Sequence, residues 1–543
     1  MRRIVGALLL VAGLTGSSAT AIAAPAAPVE LIAGQDWTRL AGAEVTGQGV
    51  RISALDRWIV GTDGKRFQPN PPVNLLGPRL EVAGDFRLDA GISATGGKSA
   101  YLQLYGAPPI IYDEWRQEPP SLRLGLVGGQ LEVAVWDGKA NKAKEVRKFG
   151  FGVTGEVAIT VRRSGSTLAF LVGGRQVGTV AERGVFGGGQ VFFGADAQVG
   201  GGWTLRSLSA SGAVRVRKAP DWKQGTVADS LRGRAQKLAR PIGVGSALAI
   251  APLVADDRYR AVAGEQFDLI TPENEMKPQF LQPARGVFAF AEADALVDFA
   301  RANGIKVHAH TLVWFEALPT WMRSAPDKRS VMLEHIRAVA THFAGRVAEW
   351  DVVNEPINQD NPDGLEHNLW YQAMGADYIA EAFRAARAAD PNAVLYLNEY
   401  GAEQDGGRWN ALYALVKKLR QARVPIDGVG LQSHEYDAAD RVPAEVFRKK
   451  VRALAALGLK VRVSEMDVST SDQAVQAKQF GERIAVCRQE PNCTGFTSWG
   501  FTDRYGSTAD ANRYPPVPGN ALPWTTGLQP KRAHTALLNG LTP

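Results

Sequence analysis

The sequence predicts an α/β protein in which a (β/α)8 TIM-type barrel follows an all-β sandwich of jelly-roll type. Three observations lead there. From residue 230 to the end, eight β-type runs alternate with helical stretches, the pattern of a parallel sheet closed on itself. From 30 to 213 the apolar runs are brief and separated by glycine pairs and triplets, as in a two-sheet β-sandwich. The polar residues of the second half gather where its β-runs end, which is where barrels carry chemistry.

The chain opens with Met1-Arg2-Arg3, an apolar run from Ile4 to Leu14, and small residues ending Ala21-Ile22-Ala23-Ala24. That is the pattern of a secretory signal over 1–23, cleaved after Ala23, with an apolar run too short to cross a membrane. A buried N-terminal helix would explain neither the arginine pair nor the A-x-A ending. No later run reaches the roughly 18 apolar residues of a spanning helix. The mature protein is expected to be secreted, extracellular and without a membrane partner.

Within 30–213 the runs 131–136, 157–161 and 167–172 are punctuated by Gly128-Gly129, Gly173-Gly174, Gly187-Gly188-Gly189 and Gly200-Gly201-Gly202. In pattern alone this half resembles the concanavalin-like lectin and glucanase sandwiches. Trp58, Trp115, Trp136 and Trp203 read as core more than as sugar-stacking surfaces. The polar stretch from Arg215 to Asp221, with Pro220, ends the strand pattern. Residues 214–229 are therefore expected to be a linker, leaving the barrel of 230–543 able to fold and act alone.

The composition is 45% hydrophobic and 22% charged, ordinary for a globular protein with sizeable cores. A net charge of +7, from 62 basic and 55 acidic residues, comes without a basic run interleaved with aromatics. Nucleic acid is thus not an expected partner. The two cysteines, Cys487 and Cys493, are close enough in an exported chain to form a local disulfide. So small a ring stabilises by at most about 2–3 kcal/mol. With no clustered histidines beside them they are a poor metal set, and no metal or cofactor is expected. The protein is expected to be a monomer.

The barrel strands are expected at 241–250, 267–272, 306–314, 347–355, 393–400, 426–434, 459–466 and 494–501. Helices include 289–303, 371–389 and 444–457. An open doubly wound sheet would need a glycine-rich phosphate loop after the first strand, and none is there. Strand two ends in Thr271-Pro272-Glu273-Asn274-Glu275-Met276-Lys277 and strand three in His308-Ala309-His310-Thr311-Leu312-Val313-Trp314. Strand four ends in Asn354-Glu355, five in Asn398-Glu399-Tyr400, six in Gln432-Ser433-His434, seven in Glu465 and Asp467, eight in Trp499. Any one of these has a structural explanation: His310 as a satisfied core histidine, Lys277 as a solvated charge, Trp499 as packing. Seven consecutive strands sharing the pattern do not.

Two glutamates stand out. Glu355 lies in Trp350-Asp351-Val352-Val353-Asn354-Glu355-Pro356, pinned between an amide and a rigid ring, and Glu465 lies in Val461-Arg462-Val463-Ser464-Glu465-Met466-Asp467. Cleaving a glycosidic bond with retention needs two carboxyls about 5–5.5 Å apart, one protonated and one ionised. Only a fold that gathers strand ends on one rim would let these two meet.

These motifs, in this order, resemble those of glycoside hydrolase family 10, whose familiar members are endo-β-1,4-xylanases. The resemblance runs from about Leu231 to the C-terminus and includes the place of the cysteine pair. It implies a retaining β-glycosidase with Glu355 as acid/base and Glu465 as nucleophile. It further implies that His434, held by Asp467, orients Glu465, that Gln432 supports the site, and that Asn354 bonds the sugar 2-hydroxyl. Glu273, Asn274, Lys277 and His310 would hold glycone hydroxyls, Trp314 and Trp499 would face the sugar rings, and Tyr400 would border the leaving group. A catalytically dead carbohydrate-binding protein would need neither glutamate. A barrel cellulase would share them but not His308-Ala309-His310-Thr311-Leu312-Val313-Trp314 or Gln432-Ser433-His434.

The chain departs from the family in two places. Family xylanases continue strand three as Trp-His-x-Gln-x-Pro, where this chain has Trp314-Phe315-Glu316-Ala317-Leu318-Pro319. After strand eight they carry a tryptophan where this chain has Ser507. Shrinking both side chains is expected to open space for the hydroxymethyl group of a hexose, unless Trp524 refills it. That would suit a β-hexoside, such as the oligosaccharide of a steroidal glycoalkaloid cut by tomatinase-like family members, with Phe315 and Tyr400 as apolar surfaces. The plain alternative is an endo-1,4-β-xylanase acting on xylan. The expected substrate is in either case a plant oligosaccharide, polysaccharide or glycoconjugate.

Overall fold

The computed structural model describes residues 27–542 apart from 41, 55–58, 61–65, 68–72, 95–98, 109–118, 140–142, 151–154, 198–200 and 507–519. The expected signal over 1–23, Trp58, Trp115, Gly200 and Ser507 lie outside the described residues.

The first half is all antiparallel β-structure. Two 16-residue strands, Arg79–Ala94 and Gly202–Arg217, pair along their length, from Trp203 opposite Ala94 to Arg217 opposite Arg79. The strand Gln190–Ala197 joins the two layers: Gln190 and Val191 pair with Glu81 and Leu80, then Phe192 to Ala197 pair with Tyr105 to Ala100. Alternate residues such as Leu102, Leu104, Leu122, Leu124, Val133 and Phe193 point into one apolar core, the period-2 burial that strands impose. Trp203 belongs to that core, its indole N–H donating to the Asp196 carbonyl at 2.6 Å. Trp136 is buried, with the Arg123 guanidinium 5.0 Å from its ring centre.

The second half closes into a barrel. Its eight strands, counted one to eight, are Gly243–Leu248, Leu269–Pro272, Lys306–Val313, Glu349–Asn354, Val394–Glu399, Gly428–Leu431, Lys460–Val468 and Cys493–Ser498. Each pairs in parallel with the next, and strand eight pairs in parallel with strand one. A helix follows every strand, among them Ala291–Ala302, Lys328–Phe343 and Gln473–Gln489. The expected helix over 371–389 is two, Leu369–Met374 and Asp377–Ala389, broken at Gly375 with φ of 63°. No helix among the described residues is long and apolar enough to cross a membrane.

Cys487 and Cys493 are disulfide-bonded with Cα atoms 4.9 Å apart, tying the end of helix Gln473–Gln489 to strand eight. Arg240 reinforces the same corner. Its guanidinium donates to the carbonyls of Cys493, Cys487, Arg488 and Glu490 at 2.7–2.9 Å. Three of these lie at the helix end, where carbonyls have no intrahelical partner and a cation complements the dipole.

The linker differs from its expectation. The last sandwich strand runs on to Arg217, past the expected start at 214. Beyond it, Trp222 packs edge-on to Phe299 at 6.2 Å, and the Asn303 amide donates to the Trp222 carbonyl and accepts from the Gln224 N–H. The two halves also share a buried interface. Val73, Leu75, Leu76, Tyr105 and Phe192 of the sandwich belong to the same apolar cluster as Ile250, Leu253 and Val254 of the barrel. Arg79, 1% exposed, donates to the Val254 carbonyl at 2.7 Å. A polar linker sequence is silent about surfaces elsewhere in the chain that dock side by side.

A chain beginning at Asp221 uncovers this apolar patch, so its thermal unfolding midpoint should fall several degrees below that of the full chain, since a loss of about 1 kcal/mol shifts Tm by roughly 2–4 °C at this size. Equal midpoints by calorimetry would show that the interface contributes nothing.

Candidate active site

The strand ends meet at one mouth of the barrel around a cleft of about 620 Å³. Strands two and three bring Glu273, Asn274, Lys277, His310 and Trp314 to its wall. Strands four to eight bring Asn354, Glu355, Tyr400, Gln432, His434, Glu465 and Trp499. Asp467 stands behind them, 1% exposed, with Oδ1 3.1 Å from His434 Nδ1.

Gln432 joins the two glutamates. Its backbone carbonyl accepts the Glu465 N–H at 3.1 Å while its side-chain amide donates to Glu355 Oε1 at 3.0 Å. Glu355 Oε2 accepts the Trp314 indole N–H at 3.0 Å. The Glu355 backbone sits at φ 53° and donates its N–H to the Asn398 carbonyl. A non-glycine residue in this left-handed region costs about 1–3 kcal/mol and persists where surrounding contacts over-determine it.

Glu465 is surrounded differently. His434 Nε2 donates to Oε2 at 3.2 Å, Asn398 Nδ2 donates to Oε1, and His310 Nδ1 lies 4.0 Å away. The same Asn398 amide donates to Asn354 Oδ1 at 2.9 Å, and its oxygen accepts the Ser464 hydroxyl at 2.6 Å. Asn354 is thereby fixed with its oxygen toward Asn398 and its NH2 on the other side.

The carboxyls respond in opposite directions. Burial pushes Glu355 above the usual range, and neighbouring Glu465 adds to that, against the hydrogen bonds from Gln432 and Trp314. Burial pushes Glu465 up as well. Its hydrogen bond from His434 and the charges of His310 and His434 outweigh this and leave it below the usual range. Burial disfavours the charged form of His434, but Tyr436, Asp467 and Glu465 raise it well above the usual range of histidine.

A polar chain runs on beneath the cleft. His310 Nδ1 bonds Asp351 Oδ2 at 2.9 Å, and His308 Nε2 lies 2.9 Å from the same oxygen. His308 Nδ1 reaches Glu349 at 2.8 Å, and Arg462 pairs with Glu349 and donates to Thr497. Burial opposes Glu349's charge, but Arg462 and His308 hold it at about 2. Likewise His308 and His310 keep Asp351 ionised against its burial. Room for this chain comes from strand six. A Cβ on Gly428 would stand 2.4 Å from the Tyr396 ring, and one on Gly430 2.3 Å from Asn398 Oδ1. Asn398, Asp351, Glu349, His308 and Arg462 were not among the expected site residues.

His310, Asp351 and Glu465 each bring one ligand atom within 4.8 Å of the others, the one such group among the described residues. The facing atoms His310 Nδ1 and Asp351 Oδ2 are already bonded to one another within the polar chain.

Tyr400 lines the cleft and is 41% exposed, with the Arg408 guanidinium 4.0 Å from its ring centre on one side and donating to its hydroxyl. Two expectations are corrected. Phe315 does not line the cleft and packs edge-on to Trp314 at 6.3 Å. Trp524 does not refill the glycone end: it is 3% exposed and packs among Phe267, Phe501 and His534.

The model of glycosyl hydrolase family 10 matches residues 232–540. An endo-1,4-beta-xylanase of Agaricus bisporus is 34% identical over 301 residues, covering 53% of this chain and 88% of the relative. Endo-1,4-beta-xylanase B of Thermotoga neapolitana is 34% identical over 287 residues, covering 51% and 82%. Among solved structures, native xylanase 10B from Thermotoga maritima superposes with a TM-score of 0.54 at 33% identity, covering 57% of this chain and 98% of that one. Xylanase 10B from Thermotoga petrophila RKU-1 in complex with xylobiose gives 0.54 at 33%, covering 57% and 97%. The chain belongs to glycosyl hydrolase family 10 and is an O-glycoside hydrolase.

Proposed function

We propose that the protein is an exported, retaining β-glycoside hydrolase acting on a xylan-type polysaccharide or its oligosaccharides. The observation that carries this is a pair of glutamates joined through Gln432, which bonds the Glu355 carboxyl and the Glu465 backbone N–H, whose environments drive their carboxyls apart, Glu355 toward the acid and Glu465 toward the carboxylate. Relatives named endo-1,4-beta-xylanase and the xylobiose complex support the substrate class, and the leader pattern of 1–23 supports export.

In this reading the Glu465 carboxylate attacks the anomeric carbon as protonated Glu355 gives its proton to the departing glycosidic oxygen. The resulting glycosyl ester is opened by water, whose proton returns to Glu355. His434 and Asn398 hold the nucleophile ionised and aimed. Asn354, its oxygen occupied by Asn398, presents its NH2 to the sugar 2-hydroxyl. Lys277, 5.3 Å from the Trp314 ring centre and 5.9 Å from that of Trp499, closes the glycone end with Glu273, Asn274 and His310.

Glu465→Ala should abolish turnover, while Glu355→Ala should keep slow cleavage of a dinitrophenyl glycoside, because a good leaving group needs no proton. Activity needs Glu465 ionised and Glu355 protonated, so kcat/KM rises through the lower apparent pKa of the pair and falls through the upper one. Glu355→Ala should therefore lose the alkaline limb. Equal activity of both mutants on that substrate would reverse the roles.

Asn398→Ala removes a donor to the Glu465 carboxylate, which favours the protonated form. The acid limb of kcat/KM should move to higher pH, with kcat down roughly 10- to 100-fold. An unmoved limb would mean that Asn398 only packs.

A second reading, preference for a β-hexoside, rests on the short Ala317 beside the cleft-lining Glu316. The ratio of kcat/KM for aryl galactoside over aryl xyloside should then exceed one and reverse in Ala317→Gln/Ser507→Trp, since a hydroxymethyl-sized space is worth about 10–200-fold. A wild type whose best substrate is xylan sinks it.

A further inference from the structure

The sandwich holds the barrel at one short helix, Ile250–Ala255, which follows strand one. Besides the Arg79 bond to the Val254 carbonyl, the Gln190 amide of the sandwich donates to the Ala255 carbonyl at 3.3 Å. Phe192, also of the sandwich, has its ring centre 5.8 Å from the Arg79 guanidinium. Both carbonyls lie at the C-terminal end of the helix, where intrahelical partners run out. Arg260 of the barrel answers the same end, donating to the Leu253 carbonyl at 2.7 Å but lying 3.4 Å from that of Val254. The short bond to Val254 therefore comes from the sandwich. The helix has six residues, five of them buried, and spans only about 9 Å, so a displacement at one end is carried to the other.

The other end of this helix reaches the cleft wall. Ala249, the residue before it, has no side chain to cap it. Glu275, 5% exposed, does so from the loop after strand two: its Oε1 accepts the Ile250 N–H at 2.7 Å. Oε2 of the same carboxyl accepts the Asn274 N–H at 3.2 Å. The Glu273 N–H donates to the Leu248 carbonyl at 3.0 Å, and the Lys277 ammonium donates to Asn274 Oδ1 at 3.1 Å. The backbone N–H groups of Glu273 and Asn274 are thus both anchored to segment 248–250, one directly and one through Glu275. Glu275 itself stands outside the cleft that Glu273, Asn274 and Lys277 line.

We infer that Glu275 and Arg79 are positioning residues for the glycone wall, and that the sandwich, docked on helix Ile250–Ala255, buttresses the substrate site of the barrel. The inference rests on the proposed hydrolase reading and gives the sandwich a part in it. The route is continuous: Arg79 to Val254, the helix to Ile250, Ile250 to Glu275, and Glu275 to Asn274. A carboxyl bonded by two backbone N–H groups fixes both segments, and bonds to a charged group are about twice as strong as neutral ones. If Arg79 and Glu275 served folding alone, weakening them would remove active molecules, lowering kcat and leaving KM as it was. A displaced glycone wall weakens substrate binding instead and raises KM with kcat kept.

The test uses full-length variants on p-nitrophenyl β-xylobioside, well below their unfolding midpoints. Arg79→Met keeps the packing stem and removes the donor, Arg79→Lys restores a cation, and Glu275→Gln turns an NH2 toward one of the two N–H groups. Expected for Arg79→Met and Glu275→Gln is a KM raised roughly 3- to 30-fold with kcat within about twofold. Arg79→Lys should recover most of the loss. Because both residues act along one route, Arg79→Met added to Glu275→Gln should raise KM by less than about a further twofold. An unchanged KM in Arg79→Met, or losses that multiply in the double variant, overturns the inference. Should Arg79→Met not fold, Gln190→Ala takes its place, with KM expected to rise about twofold or more and an unchanged KM again overturning it. A wild type inert on every glycoside sinks the hydrolase reading instead. The buttress is then read from calorimetric binding of xylohexaose, which should weaken about threefold or more in Arg79→Met; equal binding overturns it.

Discussion

An ionised carboxylate inside a barrel is tolerable only where other groups answer its charge, and Glu465 is answered from two directions. On one side His434 stands between Glu465 and Asp467. On the other, His310 leads through Asp351, His308 and Glu349 to Arg462. Acids and bases alternate along both arms, so each charge has a partner of opposite sign. Stability alone does not call for such an interior, since replacing buried ion pairs by apolar groups of the same volume is often neutral or stabilising. What the polar interior provides is a nucleophile that is charged and stationary before substrate arrives, which is the arrangement that stabilises a developing oxocarbenium ion at least reorganisation.

The contrast with Glu355 shows how environment divides labour between chemically identical groups. Glu355 receives only neutral donors, the Trp314 indole and the Gln432 amide, and these do not outweigh burial and the nearby negative charge. Glu465 receives an imidazolium. Gln432 bonds both residues at once, Glu355 through its side chain and Glu465 through its backbone, so both are tied to the end of strand six. Two glycines on that strand, Gly428 and Gly430, leave the space into which Tyr396 and Asn398 project.

Much of this was legible in the sequence because barrels confine chemistry to strand ends, and the ends carry recognisable strings. Glu355, Glu465, His434 and Lys277 could be placed without coordinates. The second layer could not. Arg462 alternates with Val461 and Val463, and Glu349 precedes Trp350, so each reads locally as the wet face of a half-buried strand. Only closure of the sheet turns that face inward, and closure is a property of all eight strands together. Asn398 was visible at the rim, but its link between Asn354 and Glu465 depends on three strands meeting. The docked linker and the sandwich–barrel interface escaped for a related reason: Trp222 with Asn303, and Arg79 with Val254, are partners far apart in the chain, and no periodicity announces them. Gly375 did carry a signal, since an isolated glycine in a helical pattern is a candidate break.

Pairing is most complete at the nucleophile itself. Both Glu465 carboxylate oxygens accept hydrogen bonds, one from His434 and one from Asn398, as a site held ready for a transition state requires. One step outward the pairing loosens: Asp351 Oδ1 and Ser433 Oγ have no partner. The two left-handed residues of the cleft, Glu355 at φ 53° and Ser433 at φ 62°, both sit against Gln432, one as its hydrogen-bond partner and the other as its neighbour in the chain. Strain of this kind persists only where the surroundings over-determine it. Preorganisation is therefore concentrated where the covalent bond forms.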